Sequence, residues 1–366
     1  MFVAWRDLRF AKGRFALMGV VIVLITTLVG LLSGLTAGLG RENVSAITGL
    51  SADRMAFAAP ADGQDRSFSD STVTERQWRG WAEAPGVESA EPIGITTTRA
   101  ESGDRSTAVS AFGVRADSGI GPESGALTRG RVVLSEAAAE ELGADGPGAR
   151  VTVAGQRLTV AAVRGDASFS HTPVVWTNLA DWQRLGDVAG ARGAPKGDHA
   201  TVVALRTGGG GERIAATDAR LGTDTVSRDD ALSAIGSYTS ENGSLQLMRG
   251  FLFAISALVI GAFFTVWTIQ RSADVAVLKA LGASTPYLLR DALGQAVVLL
   301  ALGTAAGTGI AAGVGAAVSG TVPFVLDAAT VLVPAAVLIV LGVAGAALAI
   351  RRITAVDPLT ALGSAR

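Results

Sequence analysis

The sequence predicts an α-helical membrane protein with four transmembrane helices and a large extracellular α+β domain between helices 1 and 2. Three observations lead to this prediction. The chain contains four long apolar stretches without a charged residue, a mostly polar block between the first and the second, and basic residues concentrated in the short remaining segments.

The uncharged stretches run over residues 15–40, 250–270, 292–326 and 328–350. A helix rises ~1.5 Å per residue, so about 20 residues cross a hydrocarbon core of ~30 Å. We therefore predict transmembrane helices at residues 15–40, 247–270, 292–320 and 328–350. The third stretch is rich in glycine and alanine, which permits close helix packing in lipid. The first is too long for the apolar part of a signal peptide, so we expect a retained helix.

Charge predicts the orientation. The segments 1–14, 271–291 and 351–366 hold ten Lys/Arg against four Asp, whereas the whole chain has a net charge of −1. Cytoplasmic loops of membrane proteins carry the excess of Lys and Arg. We therefore expect these three segments, including both termini, to be cytoplasmic and the block 41–246 to be extracellular.

Local patterns in the block 41–246 predict a mixed α+β domain. Its elements in order are a helix at 77–84 with Trp78 and Trp81 on one face, strands over 94–114 around a turn at 101–104, a strand at 132–134, a helix at 136–142, a turn at 146–148, and strands at 151–153 and 158–163. Residues 41–80 have few periodic signals and predict extended chain and loop. The glycine run 208–211 lacks the Lys-Ser/Thr of a phosphate loop and predicts a turn.

The residue inventory excludes several chemistries. Without cysteine the domain has no disulfides, and zinc or iron–sulfur sites built on thiolates are excluded. The two histidines, His171 and His199, belong to no hydrolase motif, and no nucleotide-binding motif is present. We therefore predict that the chain is not an enzyme, has no intrinsic cofactor and does not bind nucleic acid. No span has an ionisable residue near its centre, which argues against ion-coupled transport.

The polar segment between the second and third spans predicts a short helix. Val275, Leu278 and Leu281 are spaced three residues apart, Gly282 is a helix stop, and Ser284-Thr285-Pro286 begins the next helix. A short helix at a membrane face could transmit a push from a soluble motor to the spans. The alternative is an ordinary cytoplasmic turn.

Several motifs resemble the FtsX/MacB-type (type VII) permeases of ATP-binding-cassette (ABC) systems. They are VAVLKALGAS at 275–284, Gln295-Ala296 and RRITAVDPLTALG at 351–363, together with one span, a large outer domain and three spans. This resemblance implies a homodimer in the cell membrane that pairs with two copies of a separate ABC ATPase, which supplies ATP hydrolysis. The implied ATPase-coupling residues are Val277, Leu278, Lys279, Ala280, Leu281 and Gly282.

Other runs are similar to the haem-efflux permeases within this family. They are SGLTAGLGRENVS at 33–45, GSYTSENGSLQLM at 236–248 and FAISALVIGAFFTVWTIQ at 253–270, with a weaker match in FSHTPVVWTN at 169–178. Where such permeases carry a tyrosine in the outer segment, this chain has Phe169 or Ser170. The similarity implies that haem is exported from the outer leaflet. The alternatives are export of a peptide, lipid or drug, and a mechanical relay that regulates a cell-wall hydrolase.

Haem has two propionates and an iron that binds His, Met, Tyr or carboxylate ligands. On the resemblance, we expect haem to be bound by Arg41, Glu42, Tyr238, Glu241 and His171, which flank the outer ends of the first two spans. Arg41 would pair with a propionate, and the candidate iron ligands are Glu42, Tyr238 and His171. The alternative is that Arg41, Glu42 and Tyr238 are anchors at the membrane interface and that His171 is an ordinary polar residue.

Overall fold

The computed structural model describes residues 12–144, 146–188, 198–208, 211–270, 277–278, 281–318 and 322–354 of the 366-residue chain. The chain divides into two compact units. The membrane unit comprises Met1–Leu39 and Gly243–Arg366, and the outer unit comprises Gly40–Asn242.

The helices are α1 (Lys12–Thr48), α2 (Glu75–Ala82), α3 (Glu136–Leu142), α4 (Leu179–Val188), α5 (Gly211–Leu221), α6 (Tyr238–Gln270), α7 (Thr285–Val318) and α8 (Ala328–Thr354). The strands are β1 (Arg54–Ala58), β2 (Val73–Thr74), β3 (Val87–Ser102), β4 (Arg105–Val114), β5 (Arg131–Leu134), β6 (Arg150–Val153), β7 (Gln156–Val163), β8 (Ser168–Phe169), β9 (Thr172–Asn178), β10 (His199–Ala200), β11 (Val202–Thr207) and β12 (Thr223–Ser227).

Four of the described helices are long and apolar enough to cross a membrane. The candidate spans are Ala16–Thr48 in α1, Tyr238–Gln270 in α6, Pro286–Val318 in α7 and Ala328–Leu348 in α8. Helices α1 and α6 extend beyond the spans that the sequence predicts, since α1 ends at Thr48 and α6 begins at Tyr238. The polar ends of both helices therefore belong to the outer unit.

Small residues allow α1 and α7 to pack closely. A Cβ at Gly307 would lie 2.6 Å from the carbonyl oxygen of Val23, and a Cβ at Gly303 would lie 2.7 Å from Cγ2 of Ile22. Thr27 Oγ1 also donates a hydrogen bond to the carbonyl oxygen of Gly307 at 3.1 Å. The close packing predicted from the glycines of the third span is confirmed.

Phe324, in the connection between α7 and α8, fills a notch between α1 and α7. A Cβ at Gly34 would lie 2.3 Å from Phe324 Cζ, and a Cβ at Gly315 would lie 2.2 Å from Phe324 Cε1. The backbone N–H of Val325 donates to the carbonyl oxygen of Gly34 at 3.2 Å. The two glycines thus create the space that holds this connection against α1.

The outer unit is built on a sheet with the strand order β12-β1-β11-β3-β4-β9-β5-β7-β6, and β8 pairs with β9. The long strand β3 pairs with β11 near its start and with β4 towards its end. Strand β6 pairs with β3 as well as with β7, with Ala100 opposite Val153. The strands β3, β4, β9, β5, β7 and β6 therefore close into a barrel, which β3 joins to the open part of the sheet.

Two apolar cores stabilise the outer unit. The first contains the buried tryptophans Trp78, Trp81 and Trp182 of α2 and α4. The second contains a row of aromatic rings in mutual contact, with centroids 4.9 to 5.6 Å apart: Phe57, Phe68, Phe169, Phe112 and Trp176. The burial of many large apolar side chains supplies the core that a domain without disulfides requires.

Several local predictions are confirmed. The helix predicted at 136–142 is α3, where Ser135 Oγ accepts from the backbone N–H of Ala138 and Gly143 ends the helix with φ 63°. The strands predicted at 151–153 and 158–163 are β6 and β7. The helix predicted at 77–84 begins earlier, at Glu75, because Thr74 and Gln77 form a capping box.

The prediction of extended chain and loop over residues 41–80 is wrong. Helix α1 continues to Thr48, and strands β1 and β2 and most of α2 also lie in this range. Ile47 of α1 and Met55 of β1 are completely buried. Strand β1 pairs with β11 and β12, which follow much later in the chain. The helix end and the strands in this range thus depend on burial and on pairing with distant strands, which the local sequence does not show.

Candidate functional site

The end of α1 and the start of α6 are embedded in the second apolar core of the outer unit. Ile47 and Leu50, in and after the last turn of α1, are 0% and 2% exposed. Tyr238, the first residue of α6, is half-buried and its ring packs against the same core. Tyr238 therefore has a packing role through its ring, and its hydroxyl group is the part that could bind a ligand. Both helix ends are fixed within one compact unit.

A hairpin tip between β8 and β9 rests on the outer part of α1. Ser170 and His171 form this tip, and both have left-handed backbones, with φ 49° and 60°. The backbone N–H of Ser170 donates to the carbonyl oxygen of Asn43 at 3.0 Å, and that of His171 to the carbonyl oxygen of Glu42 at 3.3 Å. Left-handed geometry is costly for residues other than glycine, so these contacts help to hold His171 in its position.

The structure places His171 between two carboxylates. Its Nε2 lies 2.7 Å from Oε2 of Glu241, on the first turn of α6, and its Nδ1 lies 3.8 Å from Oε2 of Glu42 on α1. The three side chains are 33%, 42% and 44% exposed, respectively. Three of the residues expected to bind haem thus lie together, within reach of solvent, where α1, α6 and the hairpin tip meet.

Asn43, on α1, contacts both the hairpin tip and the start of α6. Its Nδ2 donates to Glu241 Oε2 at 2.9 Å and to Ser237 Oγ at 3.3 Å, and it lies 3.3 Å from His171 Nε2. Asn43 is only 2% exposed. Asn43 and Ser237 were not predicted as site residues, although they lie in the runs GLGREN (38–43) and GSYTSE (236–241) within the segments that are similar to haem-efflux permeases. Sequence gives no signal for a contact between residues 194 positions apart.

Arg41 points to a different partner. Its guanidinium group forms a salt bridge of 3.0 Å with Asp166, and both side chains are more than half exposed. An exposed pair of this kind contributes little to stability and exchanges readily. Arg41 is therefore available to an anionic group, although its present partner is a carboxylate of the loop before β8.

The contacts determine what the group can do chemically. Carboxylate oxygens and an imidazole nitrogen are ligands for ferric iron. In this arrangement Glu241 and His171 bond to each other, and no group of three or more His, Asp or Glu residues in the described ranges has the geometry of a metal site. Binding of a ligand by Nε2 of His171 would therefore require the hydrogen bond between His171 and Glu241 to break.

The segment expected to couple to an ATPase lies in the membrane unit. Val277 and Leu278 are helical, and the chain turns at Gly282, whose φ is 95°. The backbone N–H of Ala283 donates to the carbonyl oxygen of Leu278 at 2.9 Å, a helix-ending hydrogen bond. The predicted helix stop at Gly282 is confirmed. Val277 and Leu281 are 57% and 79% exposed.

Lys279 and Ala280, which belong to the same predicted coupling set, lie outside the described residues. Of the described members, Val277 and Leu278 are helical, and Leu281 and Gly282 lie in a turn. Large apolar side chains on this turn are accessible for contact with another protein.

This fold defines a membrane permease with a large domain inserted after its first span. Residues 15–223, more than half of the chain, match the MacB-like periplasmic core domain, and residues 247–358 match the FtsX-like permease C-terminal domain. The chain therefore belongs to the FtsX/MacB-type permeases of ABC transporters. The predicted fold class, four membrane helices with an extracellular α+β domain between helices 1 and 2, is confirmed.

Sequence similarity to known proteins extends over almost the whole chain. The "Putative hemin transport system permease protein HrtB" of Staphylococcus epidermidis is 25% identical over 99% of both chains. An "Uncharacterized ABC transporter permease" of Mycobacterium bovis is 24% identical, also over 99% of both chains. Among solved structures, the extracellular domain of the noncanonic ABC-type transporter YknZ from Gram-positive bacteria is 16% identical with a TM-score of 0.34, covering 47% of this chain and 97% of that one.

Proposed function

We propose that this chain is the permease subunit of an ATP-driven efflux system that exports haem from the outer leaflet of the membrane. The observation that carries the proposal is the meeting of Glu42, His171 and Glu241 where α1, α6 and the hairpin tip converge. Full-length similarity to proteins named as hemin transport permeases supports the same substrate.

The side chains at this position match the chemistry of haem. Glu42, His171 and the hydroxyl of Tyr238 are candidate iron ligands, and Glu241 adds a further carboxylate. The guanidinium group of Arg41 would exchange its exposed partner Asp166 for a propionate. Partly buried apolar side chains packed against the adjoining core, including Val44 and the Tyr238 ring, would offer a surface for the porphyrin.

The energy for export would come from a separate subunit. Membership of the family implies an ABC ATPase as partner. We propose that two copies of the chain pair with two ATPases, and that both termini and the turn at Gly282 face the cytoplasm. ATP binding would then move this turn. Because α6 is one continuous helix from Tyr238 to Gln270, its movement would reach the candidate haem-binding residues.

Deletion of the gene, with and without complementation, tests the physiological function. On plates with increasing haem concentrations, the deletion strain should be haem-sensitive and the complemented strain resistant. As a control for ATP dependence, a strain that expresses the intact permease with an ATPase inactivated in its ATP-binding motif should remain haem-sensitive.

Binding by purified protein gives the direct test. Haem titrated into the full-length permease in nanodiscs should produce a Soret band that saturates, as expected for binding at a defined site. If haem sensitivity is unchanged by deletion and the titration shows only nonspecific partitioning, haem export is wrong. Export of another substrate, or regulation of a cell-wall hydrolase, would then explain the permease.

A further inference from the structure

Asn43 holds two candidate haem-binding residues in a hydrogen-bonded arrangement. We call the group Asn43, His171, Ser237 and Glu241 the clasp. Glu241 Oε2 accepts hydrogen bonds at 2.9 Å from Asn43 Nδ2 and at 2.7 Å from His171 Nε2. The clasp therefore joins α1, the hairpin tip and the start of α6 through one buried amide.

The closed clasp and iron binding at His171 Nε2 exclude each other. A ring nitrogen that donates a proton to a carboxylate has no lone pair free for a metal. The other nitrogen, Nδ1, lies 3.8 Å from Glu42 Oε2, which is beyond hydrogen-bonding distance, so the exclusion concerns Nε2. Glu241 Oε2 already accepts two hydrogen bonds. In the closed clasp, Nε2 of His171 and Oε2 of Glu241 are therefore engaged with each other.

The closed clasp also contains an unsatisfied group. Asn43 Oδ1 is buried and has no hydrogen-bond partner within the described ranges. A buried acceptor without a donor raises the free energy of the conformation that contains it. The hydrogen bonds of Nδ2 therefore stabilise the closed clasp, whereas the unsatisfied Oδ1 destabilises it. The free-energy difference between the closed and the open clasp is reduced accordingly.

We infer that Asn43 is a positioning residue that keeps His171 and Glu241 away from ligand, so that closure of the clasp and binding of haem compete. The inference rests on the proposed function. A protein whose binding-competent state is only partly populated shows an affinity reduced by that fraction. Removing Asn43 should therefore tighten haem binding, whereas removing a ligand weakens it.

The first experiment compares Asn43 variants by Soret titration of the full-length permease in nanodiscs. Asn43→Ala removes the donor, and Asn43→Asp keeps the size but places a carboxylate beside that of Glu241. Both should bind haem about three- to tenfold more tightly than the wild type, and the wild-type Soret maximum should be retained because the ligands are unchanged. Asn178→Ala, which removes an asparagine that donates to the carbonyl oxygen of Leu127, should have no effect.

The second experiment closes the clasp covalently. The chain contains no cysteine, so Asn43→Cys/Ser237→Cys can be cross-linked specifically with a short thiol-cleavable bridging reagent. Before cross-linking this variant should bind haem tightly, as Asn43→Ala does. After cross-linking the affinity should fall below that of the wild type, and cleavage of the bridge should restore tight binding. The same protein thus serves as its own folding control.

The outcomes separate this inference from the proposed function. If wild-type protein shows no saturable haem binding, the proposed function fails first. If the wild type binds haem and the folded Asn43 variants bind it equally or more weakly, the competition is refuted while haem export stands. Thermal unfolding of each variant identifies loss of binding that comes from a destabilised outer unit.

Discussion

The Nε2 atom of His171 lies 2.7 Å from Oε2 of Glu241, although the two residues are 70 positions apart. One belongs to the tip of a hairpin and the other to the first turn of α6, a helix long enough to cross the membrane. A movement of α6 along or about its axis must therefore either carry the hairpin tip with it or break this contact. If the proposed haem site is correct, movement of α6 would therefore change the contact between two of its candidate residues.

Glu42→Ala and Tyr238→Phe should each weaken haem binding, because each removes one candidate oxygen ligand. Tyr238→Phe keeps the ring that packs against the apolar core, so its effect reports the hydroxyl group alone. We expect a loss of about tenfold for each variant, measured by Soret titration. Binding to the ATPase, measured by co-purification, should be unchanged. A wild-type Soret spectrum in the Glu42→Ala/Tyr238→Phe double variant would refute this site.

Gly282→Pro should abolish stimulation of the partner ATPase by the permease. Gly282 has φ 95° in the turn before α7, whereas proline is restricted to φ near −65°. The substitution would therefore distort the turn expected to contact the ATPase. The measurement is ATP turnover of the purified complex, with and without haem. As a control, Gly63→Ala strains a glycine of similar φ, 80°, in the outer unit, and it should leave the stimulation of ATP turnover intact. Normal stimulation in folded Gly282→Pro would contradict a coupling role.

The features predicted from sequence are those that local physics determines. Four uncharged stretches predict spans because burying a charge in lipid is costly. The helix α3 is bounded by Ser135 and Gly143, which act through their nearest neighbours. The turn at Gly282 is likewise local. In each case the residues that produce the feature are adjacent in the chain.

The clasp could not be predicted in this way. Asn43 and His171 are 128 positions apart and meet because β8 and β9 place the hairpin tip on α1. The candidate residues Glu42, His171 and Glu241 came from resemblance, and nothing local indicated that they contact each other or that Asn43 connects them. For the same reason the continuation of α1 to Thr48 was missed, since burial of Ile47 in the outer unit stabilises that end.

Gly34→Ala should destabilise the membrane unit. The added Cβ would lie 2.3 Å from Phe324 Cζ, and a Cβ at Gly315 would lie 2.2 Å from Cε1 of the same ring, so the ring has little room to move. Overpacking of this kind costs about 1–3 kcal/mol, which should lower the thermal unfolding temperature in detergent. Gly34→Ala/Phe324→Leu should recover part of the loss because the smaller side chain leaves room for the methyl group. Gly309→Ala adds a methyl group with no atom within 4 Å and should be tolerated. Failure of the double variant to recover would show that the ring is not the obstacle.

Asp218 should make the stability of the outer unit depend on pH. Burial raises the pKa of this carboxyl group above its ordinary value of 3.8, and hydrogen bonds from Thr223 and Thr225 offset part of that increase. The folded state therefore binds the proton more readily than the unfolded state does. The contribution of Asp218 to the free energy of unfolding is largest below the unfolded pKa and decreases as the pH rises through the folded pKa.

Asp218→Asn should remove this dependence. Its free energy of unfolding relative to wild type should increase from pH 4 towards neutral pH, after allowance for a constant difference in hydrogen bonding. Urea unfolding can be followed by tryptophan fluorescence, since Trp81 Nε1 donates to Thr223 Oγ1 at 3.1 Å beside this carboxylate. Asp229→Asn, which changes a side chain that is 82% exposed, is the matched control and should follow the wild-type profile. Parallel profiles for wild type and Asp218→Asn across this range would show that burial does not perturb Asp218, because a group with equal pKa in both states contributes no pH dependence to folding.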